Sequence, residues 1–102
     1  MKVLSEKEVQ TQILKYVTSN GGYVVKVMRA SSNGVADLLI CINGIFVACE
    51  VKAEKYYKNP EKQMSAWQHK HADMVKASNG LFVCPSSLQQ FKDFLEDNLI
   101  YL

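Results

Sequence analysis

The hydrophobic pattern is densest between residues 34 and 52, where two apolar runs meet at Asn43-Gly44. That dipeptide favours a two-residue hairpin turn, because it tolerates positive φ at both central positions. With those two residues as the loop, Ile42 faces Ile45, Cys41 faces Phe46 and Ile40 faces Val47, and the ladder carries Asp37 to a place directly opposite Glu50. Leu38, Ile40, Ile42, Ile45, Val47 and Val51 alternate with Leu39, Cys41, Phe46 and Ala48, so both faces are apolar and the hairpin is predicted to be central and buried.

The flanking segments read as follows. Ser5 and Glu8 form a capping-box pattern, and Val9, Ile13, Tyr16 and Val17 recur at helical spacing until Asn20-Gly21-Gly22 stops the helix. Tyr23-Val-Val-Lys-Val-Met-Arg29 alternates like a strand, and Ala30-Ser-Ser-Asn-Gly34 is a small polar loop. Residues 53–62 are polar and basic, and Pro60 forbids a continuous helix there, so a mobile loop is expected. Ser65-Ala-Trp-Gln68 opens a helix that runs to Ser78 before Asn79-Gly80. Leu81-Phe-Val-Cys84 is a short strand closed by Pro85, and a last helix follows Ser87 to about Leu99, with Leu88, Phe91, Phe94, Leu95 and Leu99 as its buried stripe. The predicted order is α-β-β-β-α-β-α.

Charge changes the picture at one place. Asp37 and Glu50 fall on one face, and Lys52, two residues beyond Glu50, points the same way. Opposed Cβ atoms lie about 4.5–5.5 Å apart, and like charges so placed repel. In an apolar sheet the conflict is costly. A divalent cation held between Asp37 and Glu50 resolves it, with magnesium–oxygen distances of roughly 2.0–2.1 Å. The alternative is that Lys52 neutralises one carboxylate while the other frays near Gly34. Glu6 lies on the side of Val9, Ile13 and Val17, so it either faces the core and its rim or merely complements the positive helix end, whereas Glu8 points away.

Composition adds boundaries. The 102 residues are expected to form one domain, with 48% hydrophobic and 22% charged residues, as in an ordinary globular protein. A net charge of +2 means that any nucleic-acid contact depends on clustering, and Lys52, Lys55, Lys58, Lys62, Lys70 and Lys76 do gather in the middle third. Arg29 and Ser31 are candidates for phosphate contact, and Lys55, Tyr57 and Lys58 for phosphate pairing and base stacking; solvated or back-packed loop residues are the plain alternative. Cys41, Cys49 and Cys84 sit in apolar runs without CxxC spacing, which argues for reduced core residues rather than disulfides or zinc ligands. His69 and His71, two apart on a helix, cannot share a metal. With no leader-like apolar run and none near the ~18 residues of a membrane span, a cytoplasmic, membrane-free protein is expected. There is no internal repeat, phosphate-binding glycine loop or GxSxG elbow.

An acidic helix residue, an Asp on one strand and Glu-x-Lys on the next resemble the PD-(D/E)xK nuclease superfamily, and within it a stand-alone, resolvase-like VRR-NUC domain. The motifs are Ser5-Glu-Lys-Glu-Val-Gln10, Gly34-Val-Ala-Asp37, Cys49-Glu-Val-Lys-Ala53 and Met64-Ser-Ala-Trp-Gln68, in that order. The resemblance implies a restriction-endonuclease-like α/β core, a central mixed sheet flanked by helices. It makes Asp37 and Glu50 metal ligands, joined by Glu6, with Lys52 beside the attacking water and scissile phosphate and Gln68 near the active-site end. It further implies magnesium or manganese as cofactor, hydrolysis of DNA phosphodiesters, branched substrates such as a four-way junction or flap, and a homodimer. Ala36 stands where the family carries proline, and the loop before Met64 is longer than the family's. Two rival readings fit the same residues: a DNA-binding module of the same fold with weak or no cleavage, and a small interaction protein whose hairpin charges are structural.

Overall fold

The computed structural model describes residues 2–102. Helix α1 (Glu6–Ser19) starts at Ser5, whose hydroxyl accepts from the Glu8 amide while the Glu8 carboxylate accepts from the Ser5 amide, so the predicted capping box is complete. Strands β1 (Tyr23–Lys26), β2 (Leu38–Ile42) and β3 (Ile45–Cys49) follow, then helix α2 (Ala66–Ala77), strand β4 (Leu81–Val83) and helix α3 (Leu88–Asp97). The sheet order is β1-β2-β3-β4, with antiparallel β1/β2 and β2/β3 pairs and a parallel β3/β4 pair crossed over by α2. This is the predicted α-β-β-β-α-β-α chain with a mixed sheet between helices.

The Asn43-Gly44 turn is as predicted, with φ of 52° and 79°, and β2 and β3 pair in the expected register, from Ile42 opposite Ile45 to Leu38 opposite Cys49. One sheet face is sealed. Leu38, Ile40, Ile42, Val47, Cys49 and Val51 pack against Val9, Ile13 and Val17 of α1 and Phe91 and Leu95 of α3. Burial of a side chain of this size contributes roughly 1.5–3 kcal/mol. A second, smaller cluster of Met64, Ala72 and Cys84 with Phe82 seats α2 on β4.

Four expectations need correction. The second sheet face is not fully buried: Cys41 and Phe46 are exposed and Leu39 half-buried, because α2 packs over β4 and leaves the β1–β2 side uncovered. Cys41 is therefore a surface thiol, not a core residue. Strand β1 ends at Lys26, one bond after which (Val27 amide to Asp37 carbonyl, 2.8 Å) the chain turns outward at the exposed Met28. Residues 53–62 form two 3₁₀ turns, Glu54–Tyr56 and Pro60–Gln63, rather than an open loop. The first turn is pinned at both ends: the Leu4 amide donates to Glu54 Oε1 at 3.0 Å, and Gln90 Nε2 donates to the Tyr57 carbonyl at 2.9 Å.

The fourth correction concerns the last helix. Leu99 is 74% exposed and Ile100 takes its place in the core at 4%. Asn98 caps α3, Leu99 adopts φ +57°, and the Ile100 amide reaches back to the Leu95 carbonyl at 2.8 Å, a Schellman ending that turns the next side chain inward. Helices α1 and α2 end the same way through Gly21 (φ +83°) and Asn79 (φ +66°).

Candidate active site

The sheet forks just beyond the Leu38/Cys49 pair. On one side β3 stays with the chain after β4, through Glu50 amide to Val83 carbonyl and Lys52 amide to Pro85 carbonyl, each 2.9 Å. On the other side the Val51 amide donates to the Asp37 carboxylate (Oδ2, 2.8 Å) instead of a strand carbonyl. Asp37 thereby closes the ladder with its own side chain and stands at the fork beside Glu50 and Lys52.

Glu50 is 2% exposed. Its Oε2 accepts from Gln68 Nε2 at 2.9 Å and lies 3.3 Å from Lys52 Nζ; Gln68 Oε1 in turn lies 3.4 Å from that ammonium. Gln68 is oriented by its own helix cap: the Ser65 amide donates to Gln68 Oε1 at 2.9 Å, and the Gln68 amide to the Ser65 hydroxyl at 3.1 Å. A capping box is thus the bracket that holds the site amide. In the sequence Ser65 marks only a helix start.

Burial pushes the Glu50 carboxyl up to about 7, the Asp37 charge adds to the rise, and the Lys52 ammonium works against it. Glu6, an exposed residue at the first turn of α1, is also raised, by partial desolvation first and then by Asp37, with Lys52 opposing. That coupling puts Glu6 at the site's edge. Glu8 is occupied elsewhere, bridged to Lys2 at 2.8 Å and locked in its cap, and Lys2 and Ser5 hold it down to about 2.

Two observations bear on a divalent cation. Glu50 Oε1 is buried and finds no hydrogen-bond partner among the described residues, and the donors around it are carboxylate oxygens, the ligands that magnesium and manganese prefer. The oxygen chemistry of these residues fits such an ion. Among the described residues no three His, Cys, Asp or Glu side chains gather closely enough to hold a metal, so Glu6 is not drawn into a three-carboxylate cluster.

The remaining candidates lie outside this knot. Arg29 and Ser31 are exposed on the loop before Gly34, Lys55 sits over the Tyr56 ring at 5.1 Å, and Tyr57 and Lys58 are exposed on the 3₁₀ strap. Two residues that stand inside the quoted motifs without an assigned role also matter. Gly34 has φ +83°, and any side chain there would collide with the Trp67 carbonyl and the Gln68 amide, so the loop before Asp37 lies directly on the first turn of α2. Trp67, next to Gln68, is 53% exposed.

An α/β chain with a mixed four-stranded sheet, and with an Asp and a Glu-x-Lys where its central strands part, has a restriction-endonuclease-like fold. A solved structure described as a VRR_NUC domain superposes on the chain with a TM-score of 0.73 at 22% identity, covering 89% of this chain and 94% of that one. At that identity the likeness establishes the shared fold. No protein-family model matches the chain, and no curated protein matches it either. Among the described residues no helix is long and apolar enough to cross a membrane.

Proposed function

We propose that the protein is a magnesium- or manganese-dependent DNA endonuclease built as a single VRR-NUC-like domain. The observation that carries the reading is the knot at the fork: Asp37, the buried Glu50 with an unpartnered oxygen, Lys52 and Gln68 on one sheet face. Asp37 and Glu50 would hold the ion, with Glu6 at its edge. A divalent ion bound there supplies phosphate polarisation and a more acidic water. Lys52 offers a nearly dehydrated positive charge where negative charge develops on the phosphate, and in such a site a preorganised donor is worth far more than in water. Gln68 keeps that ammonium and the Glu50 carboxylate in fixed relative positions.

The preferred substrate class is branched DNA, a four-way junction or flap, cut by a homodimer. Specific duplex binders bury about 1,000–2,500 Å² of protein, which is large for one such domain. The uncovered sheet face of Tyr23, Val25, Leu39, Cys41 and Phe46 lines a wholly apolar groove of about 290 Å³ and supports pairing of two copies. An intracellular location belongs to the same reading. The test is cleavage of a four-way junction, a flap, single strands and plain duplex, with magnesium or manganese, by wild type and Asp37→Asn. Metal-dependent cutting that the variant loses is expected; equal cutting by both assigns the activity elsewhere. The binding-module alternative draws on there being, among the described residues, no cluster of three side chains able to hold a metal, and it predicts DNA binding without metal-dependent cutting by the wild type.

A further inference from the structure

We infer that Trp67 is a stacking platform for an unpaired nucleotide next to the scissile phosphate, and that it makes the site prefer DNA with a single-stranded branch over continuous duplex. The inference rests on the nuclease reading of Asp37, Glu50, Lys52 and Gln68. Trp67 directly precedes Gln68, so its Cα lies about 3.8 Å from that of the residue bonded to Glu50 and Lys52.

Its surroundings hold the ring's base in place while leaving the ring accessible. The Trp67 carbonyl lies against Gly34, so tightly that no Cβ fits, which fixes this turn of α2 against the loop leading to Asp37. Trp67 remains half in water at 53% exposure and does not line the apolar sheet groove. Lys70 places its ammonium 5.2 Å from the ring centre. An aromatic face backed by a cation is the combination that single-strand binders use: the ring takes a base whatever its identity, and the cation meets the backbone. A base inside an intact duplex is already stacked and cannot use the ring; one at a branch or on a flap can. Arg29 and Ser31, exposed on the loop that Gly34 docks on this turn, are available to the phosphates alongside.

The chain contains a single tryptophan, so its fluorescence reports this ring alone. Asp37→Asn protein with calcium, titrated with a single strand, a flap and a blunt duplex of equal length, is expected to show quenching by the first two and little by the duplex. In cleavage assays Trp67→Ala should lose the flap-over-duplex preference by about fivefold or more, fivefold being the low end of what one stacked base contributes, and Trp67→Phe should keep most of it. Circular dichroism of both variants checks that α2 still folds. Fluorescence unmoved by every DNA, or a flap-to-duplex ratio unchanged in Trp67→Ala, overturns the inference. Quenching by single strands in a protein that cuts nothing with any metal would sink the nuclease reading and leave the stacking site standing.

Discussion

The Glu50 carboxyl offers the sharpest test of the site's electrostatics, because its cost can be read without any substrate. Burial and the neighbouring Asp37 raise it from 4.5 to about 7 in the folded protein. At about 1.4 kcal/mol per tenfold change in acidity, ionising it in place costs on the order of 3 kcal/mol. Because the folded pKa lies above the unfolded one, the folded state holds the extra proton between the two. The Glu50 contribution to metal-free stability is therefore most favourable below about 4.5, worsens as pH rises, and carries the whole penalty above about 7. Glu50→Gln mimics the protonated acid: its oxygen still accepts from Gln68 and Lys52, and its amide replaces the unpartnered Oε1. In EDTA the variant should match wild type near pH 4.5 and exceed it by about 2–3 kcal/mol at pH 8. For a domain near 100 residues, ~4–8 °C per kcal/mol makes this a melting shift of roughly 10 °C or more. Saturating manganese at about a hundred times its Kd should return about 2.7 kcal/mol to wild type and far less to the variant. Thermal unfolding at the two pH values, with and without metal, measures all of this. A variant less stable than wild type at pH 8, or an equal pH dependence in both, would refute the assignment of Glu50 as a buried carboxylate that Lys52 only partly compensates.

Other residues give simpler expectations. Leu99→Gly relieves a left-handed backbone at φ +57° on an exposed side chain and should stabilise the protein by about 1 kcal/mol in urea unfolding. Gly34→Ala combines φ +83° with a collision at the first turn of α2 and should cost about 2 kcal/mol or more while lowering cleavage, since Gln68 must shift; an unchanged melting temperature argues against the tight approach. Phe46→Glu puts a charge on the uncovered sheet face and should convert a dimer to monomers in sedimentation without lowering the melting temperature of the monomer fold. Lys52→Ala should lower metal-dependent cleavage by roughly a hundredfold, the scale of losing one preorganised donor, with kcat rather than KM carrying the loss.

Much of this molecule is written in short-range pattern. A two-residue Asn-Gly loop counts residues outward from itself, so the opposition of Asp37 and Glu50 follows from the turn alone, and the pairing observed from Ile42/Ile45 to Leu38/Cys49 leads to it. The helix starts were legible for the same reason: a capping box joins residues three apart, and Ser5, Ser65 and Ser87 each receive the amide that their spacing predicts.

What was not legible depended on partners far along the chain. That α2 covers β4 and leaves Cys41 and Phe46 in water follows from where the crossover helix lands, and alternation on a strand describes both faces without saying which will be covered. The strap at 54–63 is folded because Leu4 and Gln90 reach it from distant elements. Leu99 and Ile100 exchange roles because a Schellman turn reverses the helical period at its last step. Asp37 could be placed opposite Glu50 by counting, but its bond to the Val51 amide, the fork it opens and the Gln68 bracket over Lys52 exist only once β4 pulls β3 away from β2 and α2 docks above them. Local geometry repeats every two or 3.6 residues and can be counted, whereas the competition among distant surfaces for burial is settled only when all of them are present at once.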